Sequence, residues 1–167
     1  MSQENITKIG ELGINAISDI NNWALVTAGS AENCNTMTVS WGSMGVLWGK
    51  PVVTIYIRNT RHTLGFLDDA DSFTLSFFDE GYHDKLDFCG RKSGRDFDKV
   101  KECGFTVKTA ENGAVYFDEA KRTLVCKKLY AQNIEPEHII DKSILDQYVL
   151  KDYHRVFIGE IIEVIDK

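Results

Sequence analysis

The sequence predicts a mainly β protein with short helices, built as an antiparallel barrel. Three observations carry this. Six or seven segments show the alternation or the apolar, β-branched composition of strands. The helical stretches between them are short and do not alternate regularly with the strands, which disfavours a doubly wound parallel sheet. No internal repeat or low-complexity linker divides the chain, so residues 1–167 read as one domain, long enough to bury one core.

Residues 1–21 are polar and weakly patterned, a loose N-terminal arm or a short first strand. Trp23 to Ala28 favours a strand that Gly29-Ser30 ends. Thr36 to Trp41 alternates, with Thr36, Thr38 and Ser40 on one face and Met37, Val39 and Trp41 on the other. The hydroxyl face reads as a row of small donors and acceptors, or as an ordinary solvent face. Gly42, Gly45 and Gly49 then break the chain, without the G-x-G-x-x-G spacing of a dinucleotide fingerprint. Pro51 opens a strand from Val52 to Arg58, with Val53, Ile55 and Ile57 on one side and Val52, Thr54, Tyr56 and Arg58 on the other. Asn59 or Thr60 is placed to cap a helix running to about Asp69, with Leu64, Phe66 and Leu67 as its apolar residues.

Phe73 to Phe78 reads as a strongly apolar central strand, and Tyr82 to Cys89 as a short helix with Leu86 and Cys89 inward. Ser93 followed by Asp96 has capping-box form and opens a helix through Phe97, Val100 and Cys103 that Gly104 ends. The segment to Phe117 is loop-like with one short strand, and Arg122 to Ala131 is a long strand. Glu135-Pro136-Glu137 interrupts the pattern, and Asp141 to Val149 is a short helix or turn cluster. The last strand, His154 to Ile165, loses its alternation at Gly159, where a bulge or a close backbone approach is expected.

The balance of 25 acids against 19 Lys plus Arg argues against nucleic acid and membrane surfaces as partners. The segment MSQENITKIG lacks the apolar core of an export signal, and no apolar run is long enough to span a bilayer, so a cytoplasmic location is expected. Cys34, Cys89, Cys103 and Cys126 are widely spaced, with no C-x-x-C and no His at ligand spacing. They read as reduced thiols, and no local motif supports a metal site. There is no G-x-S-x-G, H-E-x-x-H or Walker loop.

Against that acidic balance, residues Asn33 to Leu67 contain no Asp or Glu, yet carry Lys50, Arg58, Arg61, His62 and two Trp. This suits an anionic, flat, aromatic ligand, since an acid beside a phosphate costs Coulomb energy. An ordinary hydrophobic strand pair has the same composition. Arg58, Thr60, Arg61 and Thr63 at a helix start form a candidate anion seat, with a capped helix carrying surface arginines as the alternative. Arg91, Lys92, Arg95, Lys99 and Lys101 crowd a second helix start around Ser93, though such a run also suits a solvated face.

Four motifs in order resemble the flavin reductase-like, flavoredoxin-like proteins. They are Asn35-Thr36-Met37-Thr38-Val39-Ser40-Trp41-Gly42; Ile57-Arg58-Asn59-Thr60-Arg61-His62-Thr63; Cys89-Gly90-x-x-Ser93-Gly94-Arg95-Asp96-x-x-Lys99; and His154-x-x-x-x-Gly159-Glu160-Ile161. Asn59 departs from the Pro that relatives often carry. The resemblance, from about Trp23 onward, implies an antiparallel Greek-key split β-barrel that binds FMN, usually as a homodimer. It implies that residues 35–42 lie along the isoalloxazine and ribityl chain. Asn35 would meet the flavin edge, Thr38 and Ser40 would supply hydrogen bonds, and Trp41 would pack beside the ring. Arg58, Arg61 and Thr63 would hold the phosphate, joined by Ser93, Arg95 and Lys99. His154, as a candidate catalytic or tuning group, and Phe157 would approach the ring. The implied activity is an FMN-dependent oxidoreductase with NAD(P)H as transient donor and a second acceptor. The alternatives are a flavoredoxin-like electron carrier serving a redox protein partner, and a non-redox binding module.

Overall fold

Strand β4 (Lys50–Arg58) shows how the residue pattern becomes a barrel wall. Val53, Ile55 and Ile57 alternate along it and are fully buried, as an inward face with a period of two requires. The computed structural model describes residues 3–167. Seven strands form one antiparallel sheet in the order β2 (Cys34–Val39), β1 (Ala24–Gly29), β5 (Ser72–Phe77), β8 (Arg122–Asn133), β9 (His154–Asp166), β4 and β3 (Gly42–Leu47). A separate hairpin pairs β6 (Val107–Thr109) with β7 (Val115–Phe117), two short strands where the sequence suggested one.

The sheet does not close. Its two edges are β2 and β3, yet only Ser40 and Trp41 separate these strands in the chain. The sheet therefore curls until its edges approach, and β2 contacts β4 across the seam. This is a split barrel. Its interior holds Val26, Met37, Val39, Phe73, Leu124 and Phe157 among others. Each such burial contributes roughly 1.5–3 kcal/mol. Strand β1 is buried on both faces. Val26 points to the barrel core, while Leu25 joins Leu86, Cys103, Phe105 and Phe117 beneath α4 (His83–Arg91) and α5 (Lys99–Cys103).

Several local expectations change. From Gln3 onward the N-terminal segment is neither arm nor strand but two helices, α1 (Gln3–Gly10) and α2 (Ala16–Asn21); residues 1 and 2 lie outside the described part. Asn15 caps α2 by accepting from the Ile17 and Ser18 amides. Gly42 lies within β3 and breaks nothing. A Cβ there would lie 2.9 Å from the Thr54 carbonyl oxygen and 3.1 Å from Ile20, so glycine lets α2 sit on the sheet. Trp48 and Gly49 both have positive φ and form the two-residue turn joining β3 to β4.

Helix α3 (Thr63–Asp69) starts after His62 rather than at Asn59 or Thr60. Helix α5 is capped by Asp98, whose carboxylate accepts from the Lys101 amide, and not by Ser93. Ser93 instead accepts from the Arg95 amide. At Gly159 the close approach is real, since a Cβ would lie 2.7 Å from the Phe73 ring. The register between β8 and β9 shifts twice: Ile162 is the extra residue on β9 between the Val125 and Cys126 pairs, and Leu129 is the extra residue on β8 opposite Gly159 and Ile158. Among the described residues no helix is long and apolar enough to cross a membrane.

Candidate functional site at the split

The seam gathers polar groups because both sheet edges and the start of β9 end there. A cavity of about 210 Å³ opens between Thr38, Ser40 and Trp41 on one side and Tyr56, Arg58, Arg61 and His154 on the other, with Met37 and Val39 behind. A second cavity of about 740 Å³ shares Ser40, Trp41, Tyr56 and His154, and adds Ile17, Asn21, Ile134 and Tyr148 to the wall.

The two arginines differ. Arg58 Nη1 lies 2.7 Å from the Asp152 carboxylate, and the guanidinium also donates to the Gln147 carbonyl and lies over the Tyr148 ring. The hydrogen bond from Arg58 holds the Asp152 carboxyl below its ordinary range. Thus the acid-free stretch receives its acid from the 134–153 segment, far along the chain. Arg61 donates to the Gly90 carbonyl at 2.7 Å, and no carboxylate pairs with it among the described residues. Of the two, Arg61 is the guanidinium without a carboxylate partner among the described residues.

His154 sits at the first position of β9 with 5% of its surface exposed. Its Nδ1 lies 2.8 Å from the Tyr148 hydroxyl, and the Trp41 ring lies 5.0 Å away, tilted by 40°. Burial, and secondarily the Arg58 charge, push its pKa down to about 4, against the pull of Asp152. The imidazole is therefore neutral at pH 7 and offers one N–H and one lone pair.

The structure brings Met37, Thr38, Ser40, Trp41, Arg58, Arg61 and His154 together at the split. The Thr38 hydroxyl donates to the Leu86 carbonyl, and the Met37 side chain belongs to the core. The strand's hydroxyl row is thus largely engaged inside the protein, because α4 covers that face. Thr36 bonds Thr27 and the Val26 carbonyl, and Thr63 accepts from Asn35 at 2.8 Å. Asn35, Arg95 and Lys99 line a different groove, with Cys34 and Asp98. Lys99 is 4% exposed and donates to the Thr36 and Cys89 carbonyls, and burial pushes its pKa down. Arg95 is exposed and reaches the Thr60 carbonyl, itself on an exposed residue. Phe157 is fully buried in the barrel core, between Lys128 and Arg155, away from both cavities.

Sequence reasoning missed Tyr56, although it shares the Arg58 face two residues earlier. It also missed Ile17, Tyr148 and Asp152, for which no local pattern exists. A further cavity of about 790 Å³ shares Arg61, but Asp68, Asp69 and Asp71 stand on its wall and oppose an anion.

With this geometry in place, the family is identified: residues 20–167 match the family described as "Flavin reductase like domain", and the chain belongs to it. Family membership supports a flavin-binding redox function. No curated protein matches the chain. Among solved structures it resembles a flavoredoxin from Methanosarcina acetivorans, at 23% identity over 87% of this chain and 68% of that one, with a TM-score of 0.70. An FMN-binding protein from Thermus thermophilus matches at 22% identity, over 87% and 71% of the two chains, with a TM-score of 0.69. An NADH:FAD oxidoreductase from Streptomyces globisporus C-1027 matches at 19% identity, over 87% and 74%, with a TM-score of 0.63. At these identities the likeness establishes the shared fold.

Proposed function

We propose that the protein binds FMN in the split of its barrel and acts as an oxidoreductase, drawing on NAD(P)H and passing electrons to a second acceptor. The observation that carries this reading is the meeting, in one seam, of an acid-free guanidinium, Arg61, with a neutral imidazole beside aromatic walls. The residues present fit the cofactor. Arg61, with Arg58 behind it, suits a phosphate. Trp41 and Tyr56 suit a flat apolar ring, and Ser40 and His154 supply a few placed polar groups. The small cavity opens beside one of about 740 Å³, and ligand sites run to about 300–1,000 Å³.

Bound FMN supplies the hydride-accepting ring, which the protein binds and tunes. A phenol is the better donor to an imidazole lone pair. If Tyr148 donates to Nδ1, the ring proton lies on Nε2, and His154 presents a neutral N–H to the site. Such a donor stabilises negative charge on a ligand without carrying a charge itself. In the same reading the protein is a homodimer, and exposed Val46 and Trp48 on the β3–β4 hairpin supply apolar surface for the second copy. A flavoredoxin-like carrier without nicotinamide activity is the second reading, favoured by the likeness to a flavoredoxin.

The test is spectroscopic. The purified protein is loaded with FMN and titrated anaerobically with NADH or NADPH. Bleaching of the yellow chromophore is expected. Bound colour without bleaching selects the carrier, and refusal of FMN overturns both readings.

A further inference from the structure

Two of the four thiols lie in contact. Cys89, on the last turns of α4, and Cys103, the last residue of α5, have their Sγ atoms 3.7 Å apart, and both are buried. Cys126 is equally buried, but its Sγ donates to its own strand at the Leu124 carbonyl. Cys34 is half-buried on β2. A disulfide between Cys89 and Cys103 requires the two sulfurs to come about 1.7 Å nearer.

The cations beside this pair hang on the same turn. The Cys89 carbonyl holds Lys99 Nζ at 2.7 Å, and the next carbonyl, Gly90, holds Arg61 at 2.7 Å. Lys99 in turn holds the Thr36 carbonyl of β2 at 2.9 Å. Any drawing together of α4 and α5 at these cysteines acts on both cations at once.

We propose that Cys89 and Cys103 are a redox-active dithiol, closed to a disulfide by hydrogen peroxide, and that closure displaces Arg61 from the anion seat. The balance is complete. One sulfur is oxidised to a sulfenic acid as peroxide's O–O bond breaks and one water leaves. The second sulfur attacks it, the S–S bond forms and a second water leaves. Two S–H bonds are lost, and two electrons and two protons pass to the peroxide. Burial raises the pKa of both thiols, so the resting pair is protonated and reacts only slowly with peroxide while α5 stays in place. Access comes through α5, which spans five residues and has Lys101, Glu102 and Gly104 exposed around it.

The effect on Arg61 rests on the proposed flavin site; the dithiol itself does not. The full chain is treated with hydrogen peroxide, denatured, alkylated and mapped by mass spectrometry. The expected product is a peptide joined through Cys89 and Cys103, reversed by dithiothreitol, with Cys34 and Cys126 alkylated. Recovery of Cys89 and Cys103 as free thiols, or as sulfinic acids, overturns the dithiol whether or not flavin binds. On the FMN-loaded protein, oxidation is expected to weaken FMN about tenfold while leaving riboflavin unchanged, and Cys103→Ser is expected to abolish that response. An unchanged FMN-to-riboflavin ratio in protein carrying the disulfide overturns the link to Arg61.

Discussion

Replacing Arg61 and Arg58 separately by Ala distinguishes their roles. Arg61 has no acidic partner among the described residues and donates only to the Gly90 carbonyl, so its charge is available to a phosphate. A hydrogen bond involving a charged group is worth about 1.5–3 kcal/mol net. Arg61→Ala should therefore weaken FMN by about 10- to 150-fold and leave riboflavin, which has no phosphate, within about twofold. Arg58 is already paired with Asp152 at 2.7 Å, so Arg58→Ala should cost less FMN affinity. Its main effect should fall on its neighbours. It leaves the Asp152 carboxylate unpaired and removes a positive charge that depresses His154, whose pKa should rise from about 4. The assay is fluorescence titration of both flavins into each variant, with the His154 ring followed by NMR against pH. Equal losses of FMN and riboflavin in Arg61→Ala would refute the phosphate assignment. A larger FMN loss in Arg58→Ala than in Arg61→Ala would refute the argument from pairing.

Two further outcomes test the scaffold. His154 is neutral when folded down to about pH 4 but protonates near 6.5 when unfolded, so the unfolded state binds the extra proton between those values. Stability from this group is complete above about pH 6.5 and falls by roughly 3 kcal/mol as pH drops through the folded pKa. Urea unfolding of the wild type and of His154→Gln should show that difference in slope, and parallel curves would remove the buried neutral histidine from the account. Gly159→Ala pushes a methyl to 2.7 Å from the Phe73 ring and 2.9 Å from Cys126 Cβ, and should destabilise by about 1–3 kcal/mol. A melting temperature equal to wild type would mean that β5 and β8 yield more easily than their burial suggests.

Most of the strands and much of their facing were legible in the sequence, but β3, hidden behind its glycines, and one strand of the β6–β7 hairpin were not. The period of two in Val53, Ile55 and Ile57 is a local consequence of which surface must leave water. Gly104 as a helix stop and Gly159 as a close approach were legible for the same local reason. The opening residues of the helices were less so, because Ser93 and Asp98 both have capping chemistry and only the path of the chain chooses between them. Of the acid-free stretch, Ser40, Trp41, Arg58 and Arg61 line the split.

Only the tertiary structure decided how those residues are used. Side chains on one strand face share an environment only if one neighbour covers them all. Here α4 covers Thr38, while Ser40 lies past the strand's end, at the seam. Charge in a segment says nothing of the acids that fold onto it, and Asp152 reaches Arg58 from a segment 94 positions later. Lys99, a surface cation by composition, is drawn inside by two backbone carbonyls that no pattern announces. Phe157, inside the motif that opens with His154, faces the barrel core because its place on β9 turns it inward. Contacts between distant segments depend on the order of strands in the sheet. That order, with β2 and β3 as its two edges, is what opens the split.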